Sequence, residues 1–129
     1  MDKVVHFEIP ADDMKRSKKF YETAFGWKLE EYPGFDGYMG VHTVPIDEKT
    51  HMPKEAGAIN GGMLKRQAPI LKPVITINVQ NMDKAVEAVK KAGGKIVREG
   101  MNVGEVGIAA YFEDTEGNIL GLWQELKKM

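Results

Sequence analysis

Cysteine is absent from the 129 residues, and with it go disulfides, thiolate metal sites and cysteine nucleophiles. No apolar run approaches the ~20 residues that a bilayer-spanning helix needs, so no membrane partner is expected. An excess of either charge is also lacking. The 18 Lys and Arg stand against 19 Asp and Glu, a net charge of −1. Without a basic stripe to neutralise phosphates, nucleic acid is not an expected partner. Nor is there a Pro/Gly/Ser-rich stretch long enough to join two domains, so residues 1–129 read as a single domain. The start, Met1-Asp2-Lys3-Val4-Val5, runs into a strand pattern and lacks the regions of a secretory leader. A cytoplasmic location is the default expectation. The hydrophobic share of 43% is ample for a core at this length.

What the chain does contain is a repeat. At a constant offset of 68, Ile9 meets Ile77, Asp13 meets Asn81, Met14 meets Met82, Ala24 meets Ala92 and Gly26 meets Gly94. Each copy reads as strand, capped helix, glycine stop, strand. Met14, Ser17, Phe20, Tyr21, Ala24 and Phe25 follow the spacing of one buried helix face, as do Met82, Ala85, Val86, Ala88, Val89 and Ala92. Asp12 or Asp13, and Asn81, are the N-cap candidates. Lys18, Lys19, Lys90 and Lys91 are expected toward the helix ends, where the dipole favours positive charge. Gly26 and the pair Gly93-Gly94 can end the helices in a left-handed conformation.

Further strands are expected at 27–31, 38–44 and 58–64, then at 95–98, 108–113 and 119–124. Asp114-Thr115-Glu116-Gly117-Asn118 makes the last hairpin turn. The segment 65–73 is the linker, so module one is 1–66 and module two is 72–126. The long loops 45–57 and 99–107 are where ligand contact would concentrate. The element order is βαβββ–βαβββ, an α+β fold.

This order, and the phrase D-x-x-R-S-x-x-F-Y-x-x-x-F-G-W spelled by Asp13 to Trp27, resemble the vicinal oxygen chelate superfamily. His6-Phe7-Glu8-Ile9 and the stretch from Asp114 to Gln124 extend the match over nearly the whole chain. The family contains glyoxalase I, bleomycin-resistance proteins and extradiol dioxygenases. The resemblance implies two tandem modules whose strands form a cupped mixed sheet, with the helices on its outer side and a small-molecule site in the cup. In metal-using members four side chains, two from each module, hold a divalent ion that chelates adjacent oxygens of the substrate. Carried over, those positions fall on His6, Val74, Gly121 and near Gly61. Three of the four offer no side-chain donor, whereas a catalytic divalent site normally keeps at least three. Neither a metal nor another cofactor is expected.

Strand alternation then assigns faces. Phe7 and Ile9 should meet the helices, and His6 and Glu8 the cup. Thr76, Asn78 and Trp123 are the other polar and aromatic cup residues, an apolar floor with a few convergent polar groups. His6 reads either as a structural histidine bonded to a neighbour such as Glu8 or Thr76, as a ligand-contacting acid/base, or as a metal ligand. Glu8 reads as paired, as wetted, or as a base with a raised pKa. Trp123 is either core or a stacking platform, and Trp27 is packing. His42, His51 and Glu48 match no ligand motif and read as a solvated strand end and loop. Gly61-Gly62 and Gly93-Gly94 lack the context of a phosphate cradle.

Two functions remain. One is a metal-independent or atypical lyase or isomerase in which Glu8 and His6 transfer protons. The other is a non-catalytic module that sequesters a small amphiphile, as bleomycin-resistance proteins do. The resemblance also covers metal-dependent lactoylglutathione lyase, whose ligand set is not met here. A homodimer is the expected assembly, with each cup closed within one chain or shared through swapped modules.

Overall fold

The computed structural model describes residues 1–32 and 37–126. The chain divides into two compact units, His6–Pro73 and the remainder, Met1–Val5 with Val74–Met129. Each is built on the same plan.

The unit His6–Pro73 holds most of β1 (Lys3–Ala11), then α1 (Met14–Phe25), β2 (Lys28–Glu31), β3 (Tyr38–His42) and β4 (Gly61–Lys65). Its strands lie in the order β2-β3-β4-β1. The β2/β3 and β3/β4 pairs are antiparallel, and β4/β1 is parallel. Asp13 caps α1, its carboxylate accepting from the Arg16 amide at 3.0 Å, and Gly26 ends it at φ 72°. Leu29, Met39, Val41, Met63 and Ala11 form the buried core, joined by Phe7, Ile9, Met14, Tyr21 and Trp27. Trp27 stacks flat on Tyr21, with ring centroids 5.0 Å apart. It packs, as expected, although β2 itself begins one residue later, at Lys28.

Two expectations for α1 need correction. Phe20 and Phe25 are 57% and 62% exposed, so they do not belong to a buried face. Phe20 stands one residue, about 100° of rotation, from Tyr21, which takes the inward position. Lys18 and Lys19 are not in the last turn, which holds no basic residue.

The other unit holds β5 (Val74–Asn78), α2 (Met82–Lys91), β6 (Lys95–Val103), β7 (Gly107–Glu113) and β8 (Ile119–Glu125). The strand order β5-β8-β7-β6 repeats the first plan, with β5/β8 parallel and the other pairs antiparallel. Asn81 caps α2 from its first turn, and Gln124 Oε1 accepts from the Met82 amide at 2.7 Å. Lys90 and Lys91 stand in its last turn. Gly93 takes positive φ, whereas Gly94 serves by size, since a Cβ there would lie 2.8 Å from Val89. Val79, Met82, Ala110, Phe112 and Leu122 form the core.

The segment expected to be a loop at 99–107 is strand as far as Val103. Register shifts between Ile96/Arg98 and Arg98/Met101 break the two-residue alternation there.

The loop after β3 is tied down. The Asn60 carboxamide accepts from the Thr43 and Val44 amides at 2.7 and 3.1 Å and donates to the Val44 carbonyl at 3.2 Å. Asp47 accepts from the Lys49 and Thr50 amides at 2.9 and 3.1 Å, and Ile46 bridges to Pro53. Asn60→Ala strands three backbone groups and is expected to destabilise the protein by about 2 kcal/mol. Urea denaturation checks this, and a loss below about 0.5 kcal/mol would show that water replaces the clamp.

Candidate functional site

Within the unit His6–Pro73, α1 and the core cover one face of the sheet. The other face carries His6 and Glu8 on β1, Gly62 on β4, Tyr38, Gly40 and His42 on β3, and Glu30 on β2. The registers place Glu8 beside Gly62, Gly62 beside Gly40, and Gly40 beside Glu30, one row across four strands. The two glycines in the middle of that row have no side chains. What occupies the space is tyrosine.

Tyr38 stands on β3 opposite Leu64 and lays its ring back over Gly62. A Cβ on Gly62 would fall 1.8 Å from the Tyr38 hydroxyl. The hydroxyl reaches His6 Nε2 at 3.0 Å. Glu8, 7% exposed, is the strand partner of that same glycine, so imidazole, phenol and carboxylate converge on one stretch of β1 and β4. Burial pushes the His6 pKa down to about 4, so the ring is neutral at neutral pH.

Tyr32 repeats the arrangement one strand out. Its ring covers Gly40, where a Cβ would fall 2.5 Å from Cε2, and its hydroxyl meets His42 Nε2 at 2.7 Å. Lys28, the strand partner of His42, pairs with Glu30 at 2.8 Å. This ion pair draws the Glu30 pKa below, and the Lys28 pKa above, their ordinary values.

Thr76, Asn78 and Trp123 belong to the other unit, on the sheet face away from α2. Thr76 is 6% exposed and is the strand partner of Gly121. A Cβ on Gly121 would lie 2.8 Å from the Thr76 hydroxyl. Asn78 and Trp123 are neighbours in register, and the indole lies over Gly107, 2.3 Å from where a Cβ would stand. Tyr111, buried at 8%, completes this row beyond Gly121.

The partners of His6 and Glu8 that sequence reasoning missed are Tyr38 and Gly62, with Tyr32, Gly40 and His42 beyond them. The available signal was glycine in strand interiors, which marks close approach by another group.

The four positions implied for a metal do not fit one. Val74 is aliphatic, and Gly121 has Thr76 over it. On β4 the register partner of Glu8 is Gly62, under Tyr38, rather than Gly61. Gly61 instead faces the α1 side, with Phe7 against it. Among the described residues no three His, Asp or Glu side chains come together, and His42, His51 and Glu48 do not converge.

Comparison with known proteins agrees with the fold. The model of the Glyoxalase/Bleomycin resistance protein/Dioxygenase superfamily matches residues 3–122. A glyoxylase-like domain-containing protein of Didymella fabae is 32% identical over 115 residues, 86% of this chain and 84% of that protein. CFP32 of Mycobacterium tuberculosis, named as a glyoxylase, is 27% identical over 120 residues, 91% of this chain. The chain spans only 43% of that protein's length. Among solved structures, hypothetical protein BH1468 from Bacillus halodurans C-125 matches at TM-score 0.66 and 16% identity, over 99% of this chain and 97% of that one. Methylmalonyl-CoA epimerase from Mycobacterium tuberculosis matches at TM-score 0.61 and 15% identity, over 96% and 88% of the two chains. At these identities the structures speak for the fold alone. With the family match running over most of its length, and an α+β repeat of strand, helix and three strands in each unit, the chain belongs to the Glyoxalase/Bleomycin resistance protein/Dioxygenase superfamily.

Proposed function

We propose that this chain binds a small organic molecule with a carbonyl oxygen on the face bearing His6 and Glu8, and moves a proton on it without a metal, as a lyase or isomerase. The observation that carries the reading is the Tyr38 hydroxyl, bonded to His6 and held over Gly62, the strand partner of Glu8. Glu8 is the base. It takes the proton from the carbon next to the carbonyl, the C–H electrons move into an enolate, and the proton returns to the carbon to give the isomer. The hydroxyl of Tyr38 and the neutral imidazole of His6 hydrogen-bond to the developing oxyanion, and neither need change its charge. A likeness in fold to an epimerase is compatible with this chemistry.

Sequestration without reaction is the second reading. It is favoured by the His6–Tyr38 bond itself, which already joins the two groups and which the reaction would have to loosen. Thr76, Asn78 and Trp123 are proposed as further ligand contacts in either case. No helix among the described residues is long and apolar enough to cross a membrane. A cytoplasmic homodimer, each chain one domain with modules 1–66 and 72–126, completes the proposal.

Solvent deuterium exchange into enolisable α-keto and α-hydroxy acids, followed by NMR, tests the chemistry. Glu8→Gln is expected to lower exchange roughly 100-fold or more while leaving binding within a few-fold. Binding without exchange in the wild type would favour sequestration. Full activity in Glu8→Gln would remove Glu8 from the site.

A further inference from the structure

The face of the unit His6–Pro73 that lies away from α1 holds its tyrosine–histidine arrangement twice, of which the proposed proton transfer uses only one copy. Three rows cross the sheet. The middle one runs Glu8, Gly62, Gly40, Glu30. On one side stand Pro10, Leu64 and Tyr38, with Tyr32 just past the end of β2. On the other stand His6 and the pair His42 and Lys28. Each tyrosine folds back across a glycine of the middle row and ends on a histidine, Tyr38 on His6 and Tyr32 on His42.

Glycine at both positions is costly in a strand interior, where it loses entropy and offers nothing to pack. Here it lets two aromatic rings lie down on adjacent strands. The outer ring remains 37% exposed. The phenol–imidazole pairs then sit at the two ends of an aromatic floor. β1 and β3 are separated by β4 alone, so the stations lie two strand spacings apart, roughly 10 Å.

We infer that His42 and Tyr32 form a second ligand station, and that the ligand is a flat, unsaturated molecule with an oxygen function at each end. This rests on the reading of the same face as the ligand site, and it adds the class of ligand. The carbonyl end lies at His6, Tyr38 and Glu8. The planar middle stacks on the tyrosine rings, whose faces accept any π surface. The far oxygen meets the His42–Tyr32 pair, with the Lys28 ammonium beside it. Neither outer residue takes part in proton transfer. Both set the length and shape of what is bound.

Calorimetric titration with pyruvate, phenylglyoxylate and 4-hydroxyphenylglyoxylate tests this on the intact protein. Affinity is expected to rise along the series, the para hydroxyl adding roughly fivefold, the worth of one hydrogen bond. Tyr32→Phe and His42→Leu should each remove the hydroxyl increment and leave phenylglyoxylate unchanged. Gly40→Ala, whose Cβ displaces the Tyr32 ring, should remove the phenyl and hydroxyl increments together and leave pyruvate unchanged. Thermal melts establish that each variant is folded. Pyruvate binding that is lost in Tyr38→Phe, with no gain for the longer acids, would overturn the second station and leave the first. The same holds if the hydroxyl increment survives in both outer variants. If none of the three acids binds the wild type, the reading of this face as a carbonyl site falls and the second station falls with it.

Discussion

Alanine at Gly61 is expected to destabilise the protein by about 3 kcal/mol, the upper part of the range for overpacking. Alanine at the next residue, Gly62, is expected to leave it folded but open the site. The difference lies in what each new methyl would meet. At Gly61 it would fall 2.4 Å from the Phe7 carbonyl oxygen and 2.6 Å from the Phe7 ring. The first is backbone of the neighbouring strand β1, and the second is wedged against Trp27, with ring centroids 6.1 Å apart. The oxygen cannot move without parting β1 from β4, and the ring cannot turn without disturbing the core it packs against. At Gly62 the obstacle is the end of the Tyr38 side chain, which can swing away. That swing breaks the bond to His6 and costs about 1 kcal/mol. Urea denaturation of both variants, with proton exchange or ligand binding measured on Gly62→Ala, separates the two. A Gly61→Ala protein within about 1 kcal/mol of wild type would show that β1 and β4 are not packed as described.

These two residues also mark where reading from sequence stops. The helix caps, Asn81 and one of Asp12 and Asp13, are local signals, and the recurrence of the same elements at an offset of 68 is written in the residues, so both are legible. The alternation that put Phe7 and Ile9 toward the helix and His6 and Glu8 away from it holds, because β1 is regular and one of its faces is buried. On β4 the sequence places a donor position only near Gly61, and of the two glycines there Gly61 faces α1 while Gly62 faces the side of Glu8. Ala58 to Met63 alternates poorly, and one residue of slip exchanges the faces. The sequence shows only the first part of β6, because its bulges scramble the period that identifies a strand. A 3.6-residue stripe accepts Phe20 and Phe25 as inward residues, but Tyr21, Trp27 and Phe7 already pack against the core beneath α1.

Tyr38 was not legible as a partner of His6 at all. The two residues, 32 positions apart in the chain, are brought together by a diagonal over a glycine, which needs the β3–β4 and β4–β1 registers at once. The general lesson concerns strand glycines. Within their own units, Gly40 and Gly62 lie beneath tyrosine rings, Gly107 beneath the Trp123 indole and Gly121 beneath Thr76, so each marks a place where a side chain reaches across from a neighbouring segment.

Lowering the pH from 7 toward 4 is expected to weaken the fold by up to about 3 kcal/mol through His6 alone. In the unfolded chain the imidazole titrates near 6.5, and burial in the fold lowers this to about 4. Between those values the unfolded state holds the proton and the folded state refuses it. Stability therefore falls as the pH drops through that window, and this contribution is complete once the pH is below the folded value. Above 6.5 both states are neutral and the contribution is flat. Asp47 and Asp114 act in a different range. Their carboxylates accept backbone and side-chain hydrogen bonds that hold their pKa values below normal, so they lose support only under more acid conditions. Denaturation in urea at steps between pH 7.5 and 4 gives the slope. His6→Gln, which can keep a hydrogen bond to Tyr38 but cannot titrate, should lose most of the fall between pH 6.5 and 4. An equal slope in both proteins would mean that His6 is as accessible to protons in the fold as in the unfolded chain. Its bond to Tyr38 would then be formed in water rather than in a desolvated site, and the ring would hold a proton part of the time near neutral pH.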